Sequence, residues 1–207
     1  VAKPDDPKAE NARTYIHARE HAVRRRIATL FPEYNWTFDR SIPNRKRVMG
    51  TRFRPDARAT FGDRVIIVEI DEDSHRYYMC ASERAREESF VVSFISKTVV
   101  MIRFNPDGYT DYKGNKHPSC FTRPTPVKHE VKVHEKQKVQ WEHRIETLQN
   151  AIAYILDPDN ELPPKQEDRP LLTLELFYDD IAGTPERERR VKGKAKFSAI
   201  NKNKQWY

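Results

Sequence analysis

The 207-residue chain has only two cysteines, Cys80 and Cys120. They form no CxxC pair and no disulfide framework. That excludes a disulfide-stapled scaffold, argues against a structural zinc held by thiolates, and suits a reducing compartment. No apolar run reaches the roughly 18 residues that a membrane span needs. No secretory pattern is visible. The expected location is therefore intracellular, in nucleus or cytoplasm, and not secreted. His129, His134 and His143 lack regular ligand spacing, so no histidine zinc site is expected. There is no internal repeat.

What is present in quantity is charge. Asp, Glu, Lys and Arg make up 33% of the chain against 37% hydrophobic residues, and the net charge is +7. The sequence pI is about 9.4. A basic excess of this size fits a polyanionic partner, most often nucleic acid.

The apolar pattern gives a coarse order of elements. Residues 11–31 read as a helix, with Ile16, Val23, Ile27 and Leu30 on one face and Glu20 among them. Phe31-Pro32 ends it. A short strand is expected at 34–38, a basic loop at 39–51, and strands at 53–59 and 64–71 around a turn at 61–63. Residues 82–94 read as a helix with Ser82 as N-cap, and 98–104 as a strand closed by the turn Asn105-Pro106-Asp107-Gly108. The order α-β-β-β-α-β predicts an α/β or α+β unit with a mixed sheet. Residues 109–134 look loop-like. Residues 135–156 form an amphipathic helix carrying Trp141, Ile145, Leu148, Ile152 and Ile155, more a core element than a recognition helix. A Pro-rich linker, a strand at 171–178 and a basic tail at 183–207 follow. The expected division is a core at 11–110, an extension at 111–182 packing on or beside it, and the tail.

The chemistry concentrates behind the apolar run Val65-Ile66-Ile67-Val68. Glu69, Asp71, Glu72, Asp73 and His75 follow directly. Carboxylates beside a buried strand repel one another and lose hydration unless a cation joins them. The expected hairpin brings Asp56 beside Glu69, and strand alternation puts Glu69 and Asp71 on one face. Asp56, Glu69 and Asp71 can then converge, and three hard carboxylates are what Mg²⁺ accepts. Such an ion polarises a phosphoryl oxygen and acidifies a bound water, which is phosphodiester-cleaving chemistry.

Arg54-Pro55-Asp56, then Glu69-x-Asp71 after the apolar strand, resembles the PD-(D/E)xK nuclease superfamily. Glu69-Ile70-Asp71 with His75, a helix, and Ile102-Arg103-Phe104-Asn105 resembles its very-short-patch-repair-like branch, near homing endonucleases and nucleases of large DNA viruses. The resemblance covers about residues 15–110, roughly half the chain. It implies a restriction-endonuclease-like core and a metal-dependent DNA endonuclease of homing or mobile-element type. The implied cofactor is Mg²⁺, with Mn²⁺ able to substitute, and the implied products carry 5′-phosphate and 3′-hydroxyl ends. Double-stranded DNA is the implied partner, and a homodimer or two sequential nicks would cut both strands. Asp56, Glu69 and Asp71 are the implied metal ligands, and Glu20 and His75 complete the catalytic set. The chain departs from the pattern at Asp71, where the superfamily has lysine; His75 is the candidate stand-in, able to act on water or phosphate near neutrality.

Other readings of the same residues stay open. Glu69 can pair with an arginine, and Glu20 with Arg24 four residues on. Arg86 can brace the acids or bind phosphate, and Arg103 can support the sheet. Arg45, Lys46, Arg47 and Arg52 are expected to touch a DNA backbone, or simply to be solvated. The missing lysine also allows a non-catalytic nucleic-acid-binding module on a nuclease fold. A structure-specific repair or recombination nuclease is the third reading.

Overall fold

A computed structural model of the chain describes residues 18–42, 54–72, 80–111, 114–122, 132–164 and 171–178. Its first helix, α1, spans Ala18–Leu30 and buries Val23 and Ile27. A two-residue strand β1 (Thr37–Phe38) pairs antiparallel with β2 (Ala57–Phe61), which pairs antiparallel with β3 (Arg64–Ile70). Helix α2 (Cys80–Ser93) crosses over to β4 (Thr98–Phe104), which lies parallel to β3. A small hairpin of β5 (Tyr109–Thr110) and β6 (Lys116–His117) follows, then a 3₁₀ turn (Glu135–Gln137), helix α3 (Lys138–Leu156) and β7 (Leu172–Leu176). The sheet order is β1-β2-β3-β4-β7, with β7 parallel to β4. The protein is thus mixed α/β, with a mixed five-stranded sheet flanked by helices.

Alternation along the strands sorts residues onto two faces. Ile66, Val68 and Ile70 of β3, with Val100, Ile102 and Phe104 of β4, meet α1 and α3 in the larger core. Val65, Ile67, Val99 and Met101 point the other way and meet Phe90 of α2. β3 and β4 are β-branched runs buried on both faces, as expected for central parallel strands. Arg64, at the start of β3, donates to the carbonyls of Ile155, Asp157, Pro158 and Asn160 at 2.6 to 3.3 Å, so β3 caps the end of α3.

Several boundaries differ from the sequence expectation. β2 begins at Ala57, after Pro55, which has no N–H to give a ladder; Phe53 lies outside the described residues. The strand runs through Phe61, which pairs with Arg64 across a two-residue loop; Gly62 there has φ 53°. α2 begins at Cys80, so Ser82 lies inside the helix rather than at its cap. The strand expected at 34–38 shrinks to Thr37–Phe38. The loop-like 109–134 segment contains the β5–β6 hairpin. Among the described residues, no helix is long and apolar enough to cross a membrane.

Candidate functional site

The register that joins β2 to β3 decides where the acids meet. Ala57 pairs with Val68, so Asp56 lies one step beyond that pair, opposite Glu69. Glu69 is an odd-numbered residue of β3 and therefore faces α2. Asp71 follows it at the end of the strand, its N–H donating to the Phe104 carbonyl at 2.9 Å. Glu69 is 3% exposed and Asp71 0% exposed, while Asp56 is partly buried. The Asp56 carboxylate accepts from the Ile70 N–H at 2.7 Å, which ties it to β3 rather than to a turn of its own.

Arginines answer each acid. Arg86 of α2 donates to Glu69 Oε2, and to the Arg54 carbonyl at 3.3 Å. Arg103, the register partner of Glu69 on β4, donates from Nε to Asp71 Oδ2 at 2.5 Å. Tyr178, just past β7, donates its hydroxyl to the same oxygen. Glu20 is 7% exposed on α1 and pairs with Arg24, whose guanidinium also lies 3.6 Å from Asp56. Glu20 thus stands one arginine away from Asp56. Its backbone N–H donates to Glu72 at 3.2 Å. Glu175, paired with Arg103 in register, is also buried.

The electrostatics follow from this crowding. Burial pushes the Glu69 carboxyl well above its ordinary 4.5; Arg86 opposes the shift, while Asp56 and Asp71 add to it. Burial likewise raises Asp56 above 3.8, against the Ile70 hydrogen bond, Arg86 and Arg24, with Asp71 adding to the rise. Burial alone would lower the Arg86 pKa, but the Glu69, Asp56 and Asp71 charges reverse that and hold it above the ordinary arginine value. The three acids expected to converge therefore do feel one another. Glu69 Oε1 is buried and, among the described residues, has no hydrogen-bond partner.

A pH dependence follows. A raised folded-state pKa means that the native protein holds protons on Glu69 which the unfolded chain has released. Stability from this group is full below 4.5 and is lost as pH rises through the raised value. Glu69→Gln mimics the protonated form. Without divalent ions, the melting midpoint of the variant should match the wild type near pH 4.5 and exceed it increasingly toward neutrality. Parallel melting curves for the two proteins across that range would contradict the burial of an ionised Glu69.

Of its two expected roles Arg86 shows the bracing one, and its spacing to Phe90 explains why, since residues four apart share a helix face and Phe90 faces the sheet. Two residues of the site carry no sequence expectation, Glu87 and Tyr178. Glu87, also buried on α2, joins Glu69, Arg86, Met101 and Arg103 in lining a small cleft. Tyr178 carried no local signal, because it arrives only through the parallel pairing of β7 with β4. Asn105 turns out to be structural: its amide donates to the Phe177 carbonyl at 2.8 Å, and its side-chain oxygen accepts from the Asp107 N–H at 2.9 Å. His75, Asp73, Arg45, Lys46, Arg47 and Arg52 lie outside the described residues.

The donor set suits a hard divalent ion: carboxylate oxygens from adjacent strands, one of them, Glu69 Oε1, buried without a partner among the described residues. Among the described residues, no three His, Cys, Asp or Glu side chains are grouped to hold a metal. Guanidinium groups stand where such an ion would neutralise the acids. No family model, curated protein or solved structure matches the chain.

Proposed function

We propose that the chain is a metal-dependent endonuclease that hydrolyses phosphodiester bonds in double-stranded DNA, with the homing or mobile-element role that the resemblance implies. The observation that carries this reading is the drawing together of Asp56, Glu69 and Asp71 at one end of β3, with the carboxyls of Asp56 and Glu69 raised by burial and by their acidic neighbours. Structural ion pairs do not need an excess of buried acids; a site awaiting a cation does. The mixed sheet, with a hairpin leading into a parallel crossover, is compatible with a restriction-endonuclease-like core.

Asp56, Glu69 and Asp71 would hold Mg²⁺ or Mn²⁺. When bound, such an ion supplies charge at the scissile phosphate and an acidified water. The protein's own contribution is rigidity. The Ile70 N–H fixes Asp56, and Arg103 with Tyr178 fixes Asp71. Glu20 acts at one remove, by holding Arg24 against Asp56. His75 keeps its proposed role at the water or phosphate.

One observation favours a second reading. Each of the four acids is already met by an arginine, as in a nuclease fold retained only to bind nucleic acid. Supercoiled plasmid incubated with Mg²⁺, Mn²⁺ or EDTA separates the two. Metal-dependent conversion to nicked or linear forms is expected, and none in EDTA. Binding to DNA with no cutting under any ion would leave the binding module as the function.

A further inference from the structure

Two arginines approach the acids from the α2 face, and they are held differently. Arg103 is 5% exposed and its Nε is engaged by the buried Asp71. Arg86, which also lines the cleft, is 21% exposed. Among the described residues its guanidinium donates to Glu69 Oε2 and, at 3.3 Å, to the Arg54 carbonyl. Its Nε is buried and, among the described residues, has no hydrogen-bond partner. Arg64 shows the contrast: four carbonyls fix its guanidinium. Arg86 is therefore the more loosely anchored of the two facing the acids: among the described residues Glu69 is the one carboxylate it touches directly, while Asp56 and Asp71 act on it at longer range. It also has somewhere to go, because its guanidinium already lies 5.8 Å from the Phe90 ring centroid, within cation–π range.

Glu69 Oε2 cannot serve a guanidinium and a divalent ion fully at once. A second cation placed among Asp56, Glu69 and Asp71 would also repel Arg86. We infer that Arg86 is an exchangeable counter-ion: it neutralises the acids in the metal-free protein, gives way when a divalent ion takes Glu69, and then offers its freed fork to a phosphate of the bound nucleic acid. The inference rests on the divalent-ion reading above. It assigns Arg86 both sides of the brace-or-phosphate choice, in sequence.

Competition is reciprocal, so removing Arg86 must tighten the ion. The test is Mn²⁺ binding to the full metal-free chain without nucleic acid, followed by the EPR signal of free Mn²⁺. Arg86→Ala should bind Mn²⁺ about tenfold more tightly than wild type, within the range usual for coupled sites. Arg86→Lys keeps the charge without the fork and should give a smaller gain; it carries the test if the alanine variant does not fold. Affinity equal to or weaker than wild type in the folded variant overturns the exchange while leaving the metal site standing. If wild type and both variants all fail to bind Mn²⁺, the divalent-ion reading fails and the exchange with it. A second arm uses a short DNA duplex with Ca²⁺ or with EDTA. Arg86→Ala should weaken binding in Ca²⁺ and leave it unchanged in EDTA; equal weakening in both would make Arg86 an ordinary phosphate contact and overturn the switch.

Discussion

Glu69→Gln and Asp56→Asn should each slow metal-dependent DNA cleavage by about a hundredfold to a thousandfold or more, with the protein still folded. The substitutions remove charge and keep shape. In Glu69→Gln a side-chain oxygen can still accept from Arg86, and in Asp56→Asn one can still accept the Ile70 N–H. What each variant lacks is the negative charge that would hold a divalent ion against burial. Single-turnover cleavage of labelled duplex with saturating Mg²⁺ reads the loss, and melting midpoints confirm the fold. Glu20→Gln is the informative contrast. Glu20 reaches Asp56 only through Arg24, so its loss should cost about tenfold or less, in the manner of a supporting charge pair. Cleavage undiminished in both Glu69→Gln and Asp56→Asn would move the site elsewhere. A Glu20→Gln loss as deep as theirs would place Glu20 in direct contact with the reacting groups.

The acids could be placed from sequence, whereas Arg86 and Arg103 could be named but not assigned to their acids, and the difference has a physical basis. Asp56 and Glu69 lie on a hairpin, whose register is fixed locally by a two-residue loop at Gly62. Their approach is therefore a short-range fact. β3 and β4 announced themselves as β-branched runs. Arg103 and Tyr178 reach Asp71 only because β4 and β7 pair in parallel, across connections that no local pattern fixes. Arg86 needed α2 to turn Phe90 inward. The β2 boundary was missed for a smaller reason: Pro55 breaks the ladder although the segment around it looks extended. Glu20 was legible as an anomaly, a carboxylate on an apolar helix face; its pairing with Arg24 is observed, and Arg24 in turn lies 3.6 Å from Asp56.

Arg144→Met should destabilise the fold by about 3–5 kcal/mol, a large part of a domain's usual total. Arg144 is 0% exposed, on the same stripe of α3 as Trp141 and Leu148. It donates to the carbonyls of Asp107 at 2.6 Å, Pro118 at 3.1 Å and Asn105 at 3.3 Å. Its guanidinium lies 5.0 Å from the Tyr109 ring and 5.3 Å from that of Phe177. Methionine fills much of the volume but strands three carbonyls away from water, each at a cost of about 1–3 kcal/mol if fully unsatisfied. The same turn ties α1 to the fold, because Asp107 accepts from Arg19 at 2.7 Å and from Ser119 at 3.0 Å. It also touches the site, since the Asn105 amide holds the Phe177 carbonyl, one residue before Tyr178 and its bond to Asp71. Arg144→Lys should recover little, as one ammonium cannot span three carbonyls that a planar fork reaches. Urea denaturation gives the midpoint and slope. A variant within about 1 kcal/mol of wild type would mean that water reaches those carbonyls, and that the turn holds without its arginine.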